Sequence, residues 1–247
     1  MLRRLLIDAL VNEDRSDRPR DPDASVSDAA RSATEWIGAT PQEREKALYE
    51  LLGLADALPP QPKTGPPLAQ KVTAVHEALE KAGVPHAFGG ALAVAYYGVP
   101  RATNDIDVNV FVPVEDSQQI CAVLAPLEID IETSGRELRR FKEVQLDWGL
   151  TPVHLFFSHD SLHAPMSQAV RSVPFSGHTL PLVSPEHLIV RKAILDRPKD
   201  WLDIEQILVA TDPLDVKEIE DWLERMVGRD NPRFEKLAQV KAELSLD

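Results

Sequence analysis

Two glycines and two aspartates carry most of the chemistry written into this sequence. In Phe88-Gly89-Gly90-Ala91 the paired glycines form a turn whose bare backbone N–H groups can approach a phosphate. Fourteen residues then separate Gly90 from Asp105-Ile106-Asp107-Val108. Side chains alternate faces along a strand, so Asp105 and Asp107 point the same way. Two hard carboxylates side by side suit Mg²⁺ (or Mn²⁺), which neutralises the charge that builds on phosphate oxygens during phosphoryl or nucleotidyl transfer. A helix beginning near Ala91 adds the favourable dipole of its N-terminus to the glycine turn. The pattern therefore predicts a nucleoside triphosphate as substrate, Gly89 and Gly90 against its phosphates, and Asp105 and Asp107 as metal ligands.

The elements that must hold these residues are legible around them. Leu68–Ala82 has the apolar spacing of an amphipathic helix, with Val72, Val75 and Leu79 on one face. His86-Ala87-Phe88 is a short strand running into the glycines, Ala91–Tyr97 a small-residue helix, and Asp105–Val112 a strand. Val114–Leu124 reads as a helix. Phe141–Trp148 and Val153–Phe157 read as two strands of a hairpin joined across Gly149-Leu150-Thr151-Pro152. Ser184-Pro185 starts a helix with Ser as cap and Pro in the first position, running to about Asp196. Further helix starts fall at Asp212-Pro213 and Asn231-Pro232.

Upstream, Thr40-Pro41-Gln42-Glu43 has the form of a capping box opening a helix through Leu48, Leu51, Leu52 and Leu54. Residues 12–25 mix both charges with proline and have little to bury, which predicts mobility. Pro59–Pro67 is the best linker. The expected organisation is a helical segment 1–67, an α/β core 68–182 and a helical segment 183–247. The expected fold class is α+β, a small mixed sheet with helices packed on it.

The block Gly89-Gly90-Ala91-Leu92-Ala93 … Arg101-Ala102-Thr103-Asn104-Asp105-Ile106-Asp107 resembles the nucleotidyltransferase superfamily of polymerase-β-like fold. The Arg-x-Thr before the paired aspartates is similar to AbiEii-like and minimal nucleotidyltransferases of toxin–antitoxin systems. Leu182-Val183-Ser184-Pro185-Glu186-His187-Leu188 … Lys192 … Arg197 … Asp200 … Asp203 resembles the helical segment that follows in that family. The resemblance implies transfer of a nucleoside monophosphate from ATP or another NTP to a protein or tRNA. It also implies a third carboxylate on a strand of the form Val-Asp-Leu-Leu-Phe. This chain has Val153-His154-Leu155-Phe156-Phe157, with His154 at the expected place, and imidazole is a poor Mg²⁺ ligand. Asp147 can substitute only if the hairpin register brings it to the same face. The alternative is a catalytically impaired fold that binds nucleotide or a protein partner.

Other residues admit two readings. Arg101 either reaches a phosphate or pairs with an acid such as Asp105. Thr103 braces the turn. Lys192 either faces the triphosphate or lies in solvent, and His154 belongs either to the site or to a hydrogen-bonded core. Asp200 and Asp203 read as helix caps or links.

Composition narrows the partners. A formal charge of −13 over 247 residues makes general DNA binding unexpected and favours a protein or small-molecule acceptor over RNA. The single cysteine, Cys121, excludes an intrachain disulfide and reads as a buried helical residue. No apolar run approaches the length of a membrane span, and Asp8 interrupts the apolar start too early for an export signal. The expected setting is the cytoplasm.

Overall fold

The computed structural model describes residues 36–55, 66–101, 103–130 and 142–245. The charged stretch 12–25 and most of the proline-rich linker lie outside the described residues. So does Phe141, at the expected start of a strand.

One six-stranded mixed sheet organises the fold, in the order β3-β4-β2-β1-β6-β5. The strands are β1 His86–Phe88, β2 Ile106–Pro113, β3 Glu143–Trp148, β4 Thr151–Ser158, β5 Arg171–Phe175 and β6 His178–Leu182. The β1–β6 and β2–β4 pairs are parallel; β1–β2, β3–β4 and β5–β6 are antiparallel. The fold class is thus α+β with a mixed sheet, as the sequence predicts.

The helices are α1 Pro41–Ala55, α2 Leu68–Lys81, α3 Gly90–Tyr97, α4 Ser117–Leu124, α5 His163–Gln168, α6 Pro185–Leu195, α7 Pro198–Ala210, α8 Val216–Val227 and α9 Pro232–Glu243. Val114–Asp116 forms a separate 3₁₀ turn rather than the first turn of α4. Cys121 is buried on α4. No described helix is long and apolar enough to cross a membrane.

The chain forms two compact units. Among the described residues, one contains 41–55, 66–93, 103–130 and 142–183, hence the sheet with α1, α2, α4 and α5. The other contains, among the described residues, 36–40, Val94–Arg101 and 184–245, hence α6 to α9. Helix α3 passes from the first into the second, and the chain is back in the first by Thr103.

Within the sheet unit, alternation sets the core. On β4, Val153, Leu155 and Phe157 are buried, whereas Pro152, His154 and Phe156 lie half-buried on the opposite face. Lys71 on α2 is buried and donates to the Trp148 carbonyl and the Thr151 hydroxyl, each at 2.9 Å, tying the helix to the β3–β4 turn. That turn holds two residues, Gly149 and Leu150, so Trp148 pairs with Thr151. The four-residue connection read from the sequence is thereby corrected: strand pairing continues through Thr151 and Pro152, Pro152 needing no donor where it faces Asp147. β5 and β6 are an additional hairpin, closed by Ser176 and Gly177, both at positive φ as a tight turn of mirror-image type requires.

In the helical unit, Ser184 caps α6, its hydroxyl accepting from the His187 N–H, and the Asn231 side chain accepts from the Arg233 N–H at the start of α9. The helix expected at Asp212-Pro213 begins later, at Val216, because the Asp215 carboxylate supplies the cap by accepting from the Glu218 N–H at 2.9 Å.

Candidate active site

Asp105 immediately precedes β2 and Asp107 is its second residue. Parallel pairing sets Asp107 beside His154 on β4. One oxygen from each aspartate and one ring nitrogen of His154 lie within 4.8 Å of one another. Thr103 donates its hydroxyl to Asp105 Oδ1, and the Asp105 N–H lies 3.4 Å from the same hydroxyl, so this threonine braces the approach to the strand.

The glycines fit around Asp107. The Gly89 N–H donates to the Asp107 carbonyl at 2.9 Å. Gly90, the first residue of α3, has φ +52°, and a Cβ built there would fall 1.6 Å from Asp107 Oδ2. Only glycine lets the Asp107 carboxylate occupy that space at the start of the helix. A Cβ on Gly89 would meet Asn109 Nδ2 at 2.9 Å.

His154 has a partner that sequence reasoning missed. Its Nδ1 donates to Glu143 Oε1 on β3. Register explains the contact: Gln145 faces His154 and Glu143 faces Phe156, so Glu143 reaches His154 on the diagonal, two residues along on the same face. Burial of the ring would push its pKa down. The hydrogen bond to Glu143 and the charges of Asp107, Glu143 and Asp105 outweigh burial and hold it above the usual histidine value. Asp147 shares this face but pairs with Pro152 and accepts from Gln145 Nε2 at 3.4 Å. It is not in the converging group of Asp105, Asp107 and His154.

Arg101 and Lys192 both bind Asp203 in the helical unit. Arg101 Nε donates to Asp203 Oδ1 at 3.2 Å, and buried Lys192 donates to Asp203 Oδ2 at 2.6 Å and to Asp200 Oδ1 at 3.3 Å. Burial of Asp203 would raise its pKa, but Lys192 and Arg101 together hold it below the usual carboxylate value. Asp200 also accepts from the Arg197 N–H and guanidinium, joining the α6–α7 link. Lys192 is thus buried in an ion network rather than solvated, and Arg101 pairs with Asp203.

No family model matches the chain, and no curated protein does. Several solved structures share part of its trace. The antibiotic-resistance factor ANT(2'')-Ia is 18% identical over 69% of this chain and 95% of its own, with a TM-score of 0.49. An antigenic nucleotidyltransferase-like protein from Paracoccidioides brasiliensis is 16% identical over 73% of this chain and 93% of its own, with a TM-score of 0.43. The lincosamide antibiotic adenylyltransferase LnuA, bound to lincomycin, is 14% identical over 57% and 97%, with a TM-score of 0.42. At these values the likeness assigns neither substrate nor activity to this chain, and the chemistry must come from its own residues.

Proposed function

We propose that this protein is a metal-dependent nucleotidyltransferase, moving a nucleoside monophosphate from an NTP to an acceptor hydroxyl. The observation that carries the proposal is the convergence of Asp105, Asp107 and His154 beside Gly90, where α3 begins. Asp105 and Asp107 would hold a divalent ion, and their hard oxygens fit one. Such an ion supplies charge neutralisation at the triphosphate. Thr103 fixes the Asp105 carboxylate, and Gly90 gives the Asp107 carboxylate its place. Backbone N–H groups of Gly89, Gly90 and the first turn of α3 favour the negative charge of the phosphates.

In the transfer itself the acceptor oxygen bonds to the α-phosphorus and the bond from that phosphorus to the bridging oxygen breaks. Pyrophosphate departs, and the hydroxyl proton passes to the carboxylates of the cluster on its way to solvent. Arg101 and Lys192 enter this reading as positioning residues, holding α6 and α7 through Asp203. A protein or small-molecule acceptor suits the acidic chain better than tRNA. The toxin–antitoxin setting rests on the sequence resemblance, and growth arrest on induced expression tests it.

Incubation with labelled NTPs, Mg²⁺ or Mn²⁺ and cell extract should label a macromolecule or small acceptor. Asp105→Asn and Asp107→Asn should each abolish the label. An imidazole paired with Glu143, at the place where the resemblance implies a third carboxylate, supports a second reading, a nucleotide-binding module without turnover. Nucleotide-dependent thermal stabilisation with no label under either metal would select it.

A further inference from the structure

The His154–Glu143 pair bears on which ion the site takes. Mg²⁺ requires near-octahedral oxygen ligands and is poorly served by nitrogen, whereas imidazole suits Zn²⁺, Fe²⁺ and Ni²⁺, and Mn²⁺ accepts it alongside carboxylates. A histidine that ligates a metal usually gives its other ring N–H to a carboxylate or carbonyl, which fixes the tautomer and aims the lone pair. His154 has this arrangement: Nδ1 is engaged by Glu143, so the ring nitrogen offered to an ion is Nε2. The parallel register seats the ring beside Asp107. One oxygen of each aspartate and one ring nitrogen of His154 lie within 4.8 Å of one another, close enough that small side-chain movements bring all three residues to a single ion. The His154 and Glu143 side chains are only 19% and 12% exposed, so the pair is held inside the protein face rather than waving in solvent.

We propose that this site selects a divalent transition metal over Mg²⁺, with Asp105, Asp107 and His154 Nε2 as ligands and Glu143 as the carboxylate that positions the imidazole. The assignment deepens the nucleotidyl-transfer reading and rests on it for the role of the two aspartates. An imidazole among the ligands thereby sets the metal class, and Glu143 on the neighbouring strand holds that imidazole in place.

Pulsed electron paramagnetic resonance on the Mn²⁺-loaded protein tests the ligand set without requiring turnover. Coupling to a directly coordinated ¹⁴N is expected in the wild type and should vanish in His154→Ala. By calorimetry, Mn²⁺ should bind more tightly than Mg²⁺. Glu143→Gln should weaken Mn²⁺ about 10–100-fold, the usual effect of losing such a partner, and leave Mg²⁺ unchanged. His154→Asp should erase the preference. Circular dichroism checks that each variant folds, and the wild-type spectrum stands without any variant.

Absence of nitrogen coupling in the wild type, or equal affinity for the two ions, overturns the proposal. The labelling assay separates the two levels. Transfer with Mg²⁺ and no nitrogen coupling with Mn²⁺ removes the metal assignment and leaves the enzyme. Nitrogen-coupled Mn²⁺ with no transfer under any metal removes the enzyme and leaves the metal site.

Discussion

Replacing Gly90 by alanine tests whether the carboxylate of Asp107 occupies the space that a side chain would fill. The added Cβ would lie 1.6 Å from Asp107 Oδ2 and 2.5 Å from Cγ, so the aspartate must leave its rotamer. Holding alanine at φ +52° costs about 1–2 kcal/mol. Forcing the neighbouring side chain off its well adds about 1 kcal/mol. The sum, about 2–3 kcal/mol, corresponds to a fall in Tm of roughly 4–12 °C for a chain of this size. Thermal and urea unfolding of Gly90→Ala, Asp107→Gly and the double variant form a cycle. With the carboxylate gone only the backbone strain remains, so the two substitutions should couple by about 1 kcal/mol. Strictly additive costs, or an unchanged Tm for Gly90→Ala, would refute the placement of Asp107 against the glycine.

Asp203→Ala should destabilise by about 3 kcal/mol in urea, at the lower end for a broken buried pair because Lys192 keeps Asp200. Lys71→Met should cost about 1–3 kcal/mol by leaving the Trp148 carbonyl and Thr151 hydroxyl without their donor, and Trp148 fluorescence reports it. In the metal-free protein, NMR titration should find His187 and His154 moved in opposite directions from 6.5. Burial lowers His187 more than Glu186 raises it, so its contribution is complete above pH 6.5 and is lost as pH falls below that value. His154 is raised, so its contribution is complete below pH 6.5 and is lost as pH climbs through its folded pKa.

The parts of the site that could be read from sequence are those governed by local period. The alternation Asp105-Ile106-Asp107-Val108 needs only a strand to put both acids on one face, and the structure supplies β2 from Ile106. Glu143 was hidden because its contact depends on hairpin register. A four-residue connection would set Trp148 against Val153 and Asp147 against His154. The two-residue turn at Gly149-Leu150 instead sets Gln145 opposite His154 and brings Glu143 onto the diagonal. The signal was present in Glu143, Gln145 and Asp147 alternating on one face, but only correct counting from the turn assigns them neighbours. The β5–β6 hairpin had a local mark too, Ser176-Gly177 between Val173, Phe175, Leu180 and Leu182, all four buried. Burial of Lys192 had no such mark: a lysine on a helix becomes interior only when Asp200 and Asp203, from the next helix, meet it.

The path of the chain between the glycines and the aspartates limits how this protein can be altered by gene rearrangement. The stretch joining Gly90 to Asp105 is not a surface connection that could be trimmed, because Val94–Arg101 is an internal part of the helical unit. A single crossover after Val183 would give a new partner the sheet together with an orphaned piece of the old one. Descendants with a different C-terminal half would need matching changes at two separated places in the gene. The two units should therefore be inherited as a pair and diverge by substitution more readily than by exchange of modules.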